Sequence, residues 1–157
     1  MKSAAINSEL TLNYPDNCEV WGEEKLRGLY GDRIDNRWMM QDPETGIVVE
    51  INWVRLRGIA AAMVRNIAVF AKADETGMQK QLRGQNYVCS GYMSHKTDAF
   101  RFSGYRFEFD QDSFHQVGRV ACFSHKGINY KILVMAVSDF EKEGEKLLTT
   151  IMESLRA

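Results

Sequence analysis

The chain lacks the features that would assign it a class at once. Its three cysteines, Cys18, Cys89 and Cys122, are odd in number and widely spaced, with no CxxC pair. They spell neither a disulfide framework nor a zinc motif, and free buried thiols are the expectation. No repeat, linker or low-complexity tract divides the 157 residues, so a single domain over 1–157 is expected. The apolar runs are far too short to span a bilayer. The opening Met1-Lys2-Ser3-Ala4-Ala5-Ile6 gives way at once to the polar Asn7-Ser8-Glu9, without the apolar stretch of a secretory signal, and a cytoplasmic location follows as an expectation. An excess of one charge is missing too. Lys and Arg number 20 against 21 Asp and Glu, and the basic residues are spread along the chain. That balance gives no electrostatic reason to expect nucleic acid or a membrane surface as partner.

Reaction signatures are equally scarce. No GxSxG elbow surrounds Ser90, Ser94 or Ser103, and the glycines form neither a phosphate cradle nor a dinucleotide fingerprint. Strand alternation puts Cys89 and His95 on one face but Cys122 and His125 on opposite faces, so these residues and His115 do not converge on a metal. The same alternation separates Cys122 from His125 as a thiol and base pair, and an apolar-flanked cysteine is an inert one. No catalytic residue, cofactor or metal ligand is assigned.

What is present is a hydrophobic share of 45% with 26% charged residues, the composition of a globular protein that can bury a core. Residues 100–157 are the clearest stretch. Strands are predicted over 100–110, 117–125 and 129–137, turning at Gln111-Asp112-Ser113 and Lys126-Gly127. A helix follows, with Ser138 and Glu141 as a capping box and Phe140, Gly144, Leu147, Leu148, Ile151 and Leu155 on one apolar face. Upstream, residues 9–14 alternate as a strand that stops at Pro15-Asp16-Asn17, and a short helix is read over 23–31. A hairpin is predicted from 37–41 and 47–56 around Asp42-Pro43-Glu44-Thr45-Gly46. From Ile59 the period becomes helical, with Ile59, Met63, Ile67, Phe70 and Ala71 on one face. The signal runs to Leu82, with Asp74-Glu75-Thr76-Gly77 as the point of a kink or division. Residues 87–95 return to strand. The sum is an α+β fold, a largely antiparallel sheet of about seven strands with two long helices.

This order of elements resembles the PsbP-like fold superfamily. That group includes the extrinsic PsbP proteins of photosystem II, a Ran-binding nucleotide-release factor, and small bacterial proteins, some of them adaptor chaperones for secreted effectors. The resemblance is carried by Leu10-Thr11-Leu12-Asn13-Tyr14-Pro15, Gly104-Tyr105-Arg106-Phe107-Glu108-Phe109, Gln116-Val117-Gly118-Arg119, Tyr130-Lys131-Ile132-Leu133-Val134-Met135-Ala136 and Ile151-Met152-Glu153-Ser154-Leu155. It implies an α/β/α sandwich and a protein-binding role, and it supplies no common active-site residues.

Two functional readings follow. The first is a non-enzymatic module, an accessory or adaptor of a bacterial cytoplasm, that docks another protein through a sheet face or the region of Trp21 and Trp38. Tryptophan and methionine supply adaptable apolar contact surface, and Trp21 sits among polar neighbours. The second is a small-molecule pocket or minor enzyme at a sheet edge, using Tyr105, Arg106, Glu108 and His125, although cross-strand ion pairing accounts for Arg106 and Glu108 more simply. The candidate contact residues are thus Trp21, Trp38, Tyr105, Arg106 and Glu108. A homodimer through the open sheet face is compatible with either reading.

Overall fold

The computed structural model describes residues 1–63 and 65–157. In chain order the elements are β1 (Lys2–Ala5), β2 (Thr11–Tyr14), β3 (Glu19–Val20), α1 (Glu23–Tyr30), β4 (Arg37–Gln41), β5 (Val48–Val54), α2 (Gly58–Met63), α3 (Ile67–Gln81), β6 (Val88–Lys96), β7 (Arg101–Gln111), β8 (Phe114–His125), β9 (Ile128–Val137) and α4 (Glu141–Ser154). Seven strands form one antiparallel sheet in the order β3-β4-β5-β9-β8-β7-β6, and β1 pairs with β2 apart from it. The α+β reading and the antiparallel sheet stand. The separate β1-β2 hairpin is an addition, since the first six residues carry no alternation to announce a strand.

Alternation along the strands sorts side chains onto two faces. On the first face, Val49 and Ile51 of β5, Ile132 and Val134 of β9 and Ala121 and Phe123 of β8 meet Leu147, Leu148, Ile151 and Met152 of α4, with Leu10, Leu12 and Tyr14 beside the helix. An aromatic row crosses four strands there. Trp53 packs on Tyr130, Tyr130 stacks on Phe123 at 4.8 Å, and Phe123 meets Phe102 at 5.2 Å. On the second face, α3 brings Ala71 and Met78 onto Tyr105, Phe107, Phe109, Val120 and Cys122. The β8-β9 turn is the two-residue Lys126-Gly127, both with positive φ, as the tight hairpin requires.

Three expectations are corrected. The capping box at Ser138 does not form. Ser138–Phe140 is a single 3-10 turn, α4 begins at Glu141, and its first turn has no side-chain cap, because Glu141 is engaged elsewhere, as described below. The helix after Ile59 is divided, but before Ile67 and not near Gly77. The Asn66 side chain accepts a hydrogen bond from the Ala68 backbone N–H and starts a new helix, which runs unbroken through Gly77. Ile59 and Met63 consequently leave the apolar face shared by Ile67, Phe70 and Ala71, and both are exposed. The α2 helix buries no residue.

Gly118 sits opposite Phe107 on β7, and a Cβ there would enter the Phe107 ring. Gly104 is tighter, because its Cβ would meet the Val120 backbone carbonyl. Gly118→Ala is expected to lower the unfolding free energy by about 1–3 kcal/mol in urea titrations. Most of that loss should be recovered in a Phe107→Leu background, where the ring is gone. Gly104→Ala should cost more and resist such rescue, since backbone cannot be trimmed; equal costs for Gly118→Ala in both backgrounds would contradict the ring as obstacle.

Candidate functional site

The site grows from two arginines on the apolar side of the sheet. Arg106 of β7 and Arg119 of β8 are direct cross-strand partners. Arg119 is in phase with Val117, Ala121 and Phe123, so both cations lie where α4 must pack. Cations taken out of water need partners, and α4 supplies them. Arg106 Nε donates to Glu141 Oε2 at 2.6 Å and Nη2 to Oε1 at 2.8 Å, a two-pronged fork. Arg119 Nη2 donates to the same carboxylate at 3.0 Å and to Glu145 at 3.3 Å. Glu141 is also the first residue of α4, where the exposed backbone N–H groups favour a negative charge.

The network continues toward solvent. Arg106 Nη1 donates to Glu108 Oε2 at 2.8 Å and to Ser90 Oγ at 2.6 Å. The His115 ring bridges Glu108 at 2.8 Å and Asp110 at 2.6 Å. Hydrogen bonding from Arg106 holds the Glu141 and Glu108 carboxyls below the usual carboxylate range, and that from His115 does the same to Asp110. Hydrogen bonds to Asp110 and then Glu108 raise His115 above the usual histidine value.

Beside this network, β6 ends the sheet as a nine-residue edge strand, irregular between Cys89 and Gly91. A cavity of about 360 Å³ lies between β6 and α4, lined by Met93, His95, Arg106, Arg119, Thr149 and Met152. His95 reaches Glu153 of α4 at 2.8 Å. A second depression of about 550 Å³ continues along the strand past Ser94 and Arg101. The opposite edge is β3, only two residues long, so β6 is the edge with room for a partner.

A separate polar seam lies under α3. Tyr105 donates its hydroxyl to Asp74 at 2.6 Å, Lys131 pairs with the same carboxylate at 2.9 Å, and Tyr87 donates to the buried Glu75 at 3.2 Å. Burial, reinforced by the nearby Asp74, pushes the Tyr105 hydroxyl far up, and burial does the same to the Cys122 thiol. Neither is an activated nucleophile. Among the described residues no three His, Cys, Asp or Glu side chains gather in a way that could hold a metal.

The structure distributes the five candidate contact residues unequally. Trp38 is only 7% exposed and packs edge-on against Tyr14 at 6.2 Å, so it is a core residue and offers no contact surface. Tyr105 is 1% exposed and belongs to the face opposite Arg106 and Glu108. Trp21 is half-buried, with the Lys25 ammonium 4.2 Å from its ring centre. Arg106 and Glu108 alone stand together at the cavity's side of the sheet. His125 lies six residues along β8 from Arg119, on the order of 20 Å away, against Phe100. The grouping of Tyr105, Arg106, Glu108 and His125 therefore does not assemble. Sequence reasoning missed Arg119, Glu141 and His115. Arg119 carried a signal, a lone cation in phase with a core-facing strand; Glu141 was hidden behind a competing cap reading.

No protein-family model and no curated protein matches the sequence. Solved structures do match it in fold. Cyanobacterial PsbP from Synechocystis sp. PCC 6803 superposes with a TM-score of 0.62 at 10% identity, covering 99% of this chain and 91% of that one. The Saccharomyces cerevisiae Ran-binding protein Mog1p gives 0.59 at 8% identity over 99% of this chain and 94% of its own. A Bacteroides thetaiotaomicron structure gives 0.58 at 9% identity, and there the chain spans 44% of the matched length. The chain thus has the PsbP-like fold. No helix among the described residues is long and apolar enough to cross a membrane.

The network has a pH signature. His115 is raised above its ordinary 6.5, so its stabilisation is complete below that value and is lost as pH rises through the folded-state value. Glu108 and Glu141 are lowered from 4.5, so theirs is complete above 4.5 and is lost on acidification. Melting temperature should therefore peak between about pH 5 and 6.5 and decline on the alkaline side. His115→Gln should flatten the alkaline decline and leave the acid limb in place. Identical alkaline slopes in the two proteins would show that the histidine is not held between the carboxylates in solution.

Proposed function

We propose that the chain is a non-enzymatic accessory module that docks a segment of another protein in the groove between β6 and α4. An adaptor of a bacterial cytoplasm, serving secreted proteins, is the form this reading takes. The observation that carries it is the open β6 edge lying directly beside the cavity under α4. Extended segments bind such edges through backbone hydrogen bonds and place alternate side chains in neighbouring pockets. Arg106 lines the groove and holds Glu108 beside it, and Trp21 is a second contact point at the β3 edge. The fold likeness to PsbP and to a Ran-binding protein supports a binding role, while Cys18 and Cys122 are buried and His95 and His115 are paired with carboxylates.

A small-molecule reading has one observation in its favour, a cavity within the ~300–1,000 Å³ range of ligand pockets. It is the weaker of the two, because Arg106 and His95 at that cavity are already engaged by Glu141, Ser90 and Glu153, although the buried Nε of Arg119 has no partner.

The test is affinity capture of the tagged protein from its own cytoplasm, with mass spectrometry, in parallel for wild type, Thr149→Trp and Trp21→Ala. Thr149 is an exposed residue of α4 at the cavity wall, so tryptophan fills the groove without entering the core. A stoichiometric partner lost in Thr149→Trp and kept in Trp21→Ala is the expected result. Loss only in Trp21→Ala would move the site to the β3 edge. Recovery of no partner by wild type, together with a rise in melting temperature on screening metabolites, would replace the docking reading by the small-molecule one.

A further inference from the structure

The chain-wide charge balance conceals a segregated stretch. Residues 51–73 hold Arg55, Arg57, Arg65 and Lys72 and no aspartate or glutamate. The same stretch contains the two most exposed large hydrophobic side chains of the described residues, Ile59 at 82% and Met63 at 70%, flanked by the exposed Val54 and Val69. Ile59 and Met63 are one helical turn apart on α2, so they project from one side of it. Ala61 is turned toward the body, where it lines a small cavity of about 240 Å³ with Leu56, Arg65, Ser124 and Gly127. The β8-β9 turn completes the tip. Arg55 reaches the Lys126 carbonyl at 3.5 Å, and Lys126 itself pairs with Glu9 at 3.0 Å. Among the described residues, Arg57 and Arg65 form no ion pair.

An exposed apolar pair flanked by arginines suits an occupant that is anionic and accepts aliphatic side chains. A specific protein interface draws on roughly 800 Å² per partner with matched shape, more than α2 alone offers. An anionic bilayer requires no matched shape. Its acyl boundary accepts aliphatic side chains and its headgroup phosphates meet the guanidinium groups. We propose that α2 and its flanking arginines are a reversible docking site for an anionic lipid surface. This stands apart from the β6-α4 groove and does not depend on protein binding there.

The full-length protein is sedimented with vesicles of phosphatidylcholine alone and of phosphatidylcholine mixed with phosphatidylglycerol. Binding is expected only with the mixed vesicles, and it should weaken steeply as salt is raised. Ile59→Asp with Met63→Asp should abolish it. Arg57→Gln with Arg65→Gln should weaken it by about fivefold for each arginine removed. Because α2 buries nothing and Arg57 and Arg65 are exposed, both variants should keep the wild-type melting temperature, which separates lost docking from lost folding. Equal binding to neutral vesicles, or binding indifferent to both variants, would overturn the proposal. So would an absence of binding to either vesicle, which would hand the tip to an acidic protein surface.

Discussion

The fork between Arg106 and Glu141 is the interaction on which the rest of the architecture turns. Two arginines in register on adjacent strands put like charges side by side on the face that α4 must cover. The helix N-terminus, itself the positive end of a dipole, would be repelled from that spot without an acid at its first residue. Glu141 bridges both arginines, with Glu108 and Glu145 supplying the further negative charge, and in doing so it sets where α4 begins and which side of it meets the sheet. Gly144, one turn later, then lies on Ala136 and Val134, and Leu147, Leu148, Ile151 and Met152 complete the contact. The arrangement contributes position as well as energy. Swapping such a half-buried pair for apolar residues can be neutral in stability, whereas removing one partner leaves the other charge stranded.

How much of this was legible in the sequence depends on the range of the forces involved. The meander, the hairpin around Pro43 and the apolar face of the last helix were readable because alternation and turn chemistry are local. Leu147, Leu148, Ile151 and Leu155 are all buried as their spacing implies. The failures are tertiary. Ser138 and Glu141 have the spacing of a cap, yet Arg106, 35 residues away in sequence, offers the carboxylate a stronger hydrogen bond than a backbone N–H does. Trp38 and Tyr105 were read as contact surface on residue type, while their strand phase placed them in the core beside Tyr14 and over Asp74. For Ile59 and Met63 the period was right and the burial wrong. Asn66 restarts the helix, and the first segment buries no residue.

Charge placement, and not charge count, then organises the surface. Glu141 of α4 is drawn inward by Arg106 and Arg119, and Asp74 is drawn inward by Lys131 and Tyr105. Carboxylates so engaged are screened from solvent by their own partners and project little field outward. Among the described residues Arg57 and Arg65 form no ion pair, so a chain of nearly zero net charge carries a locally basic stretch over residues 51–73. The β6-α4 groove is the opposite case. Its charges are mutually satisfied, so what it offers a visitor is backbone hydrogen bonding and a mixed apolar cavity. In the two proposed readings these surfaces suit different kinds of contact, one by pairing its charges and the other by leaving Arg57 and Arg65 without an ion pair among the described residues.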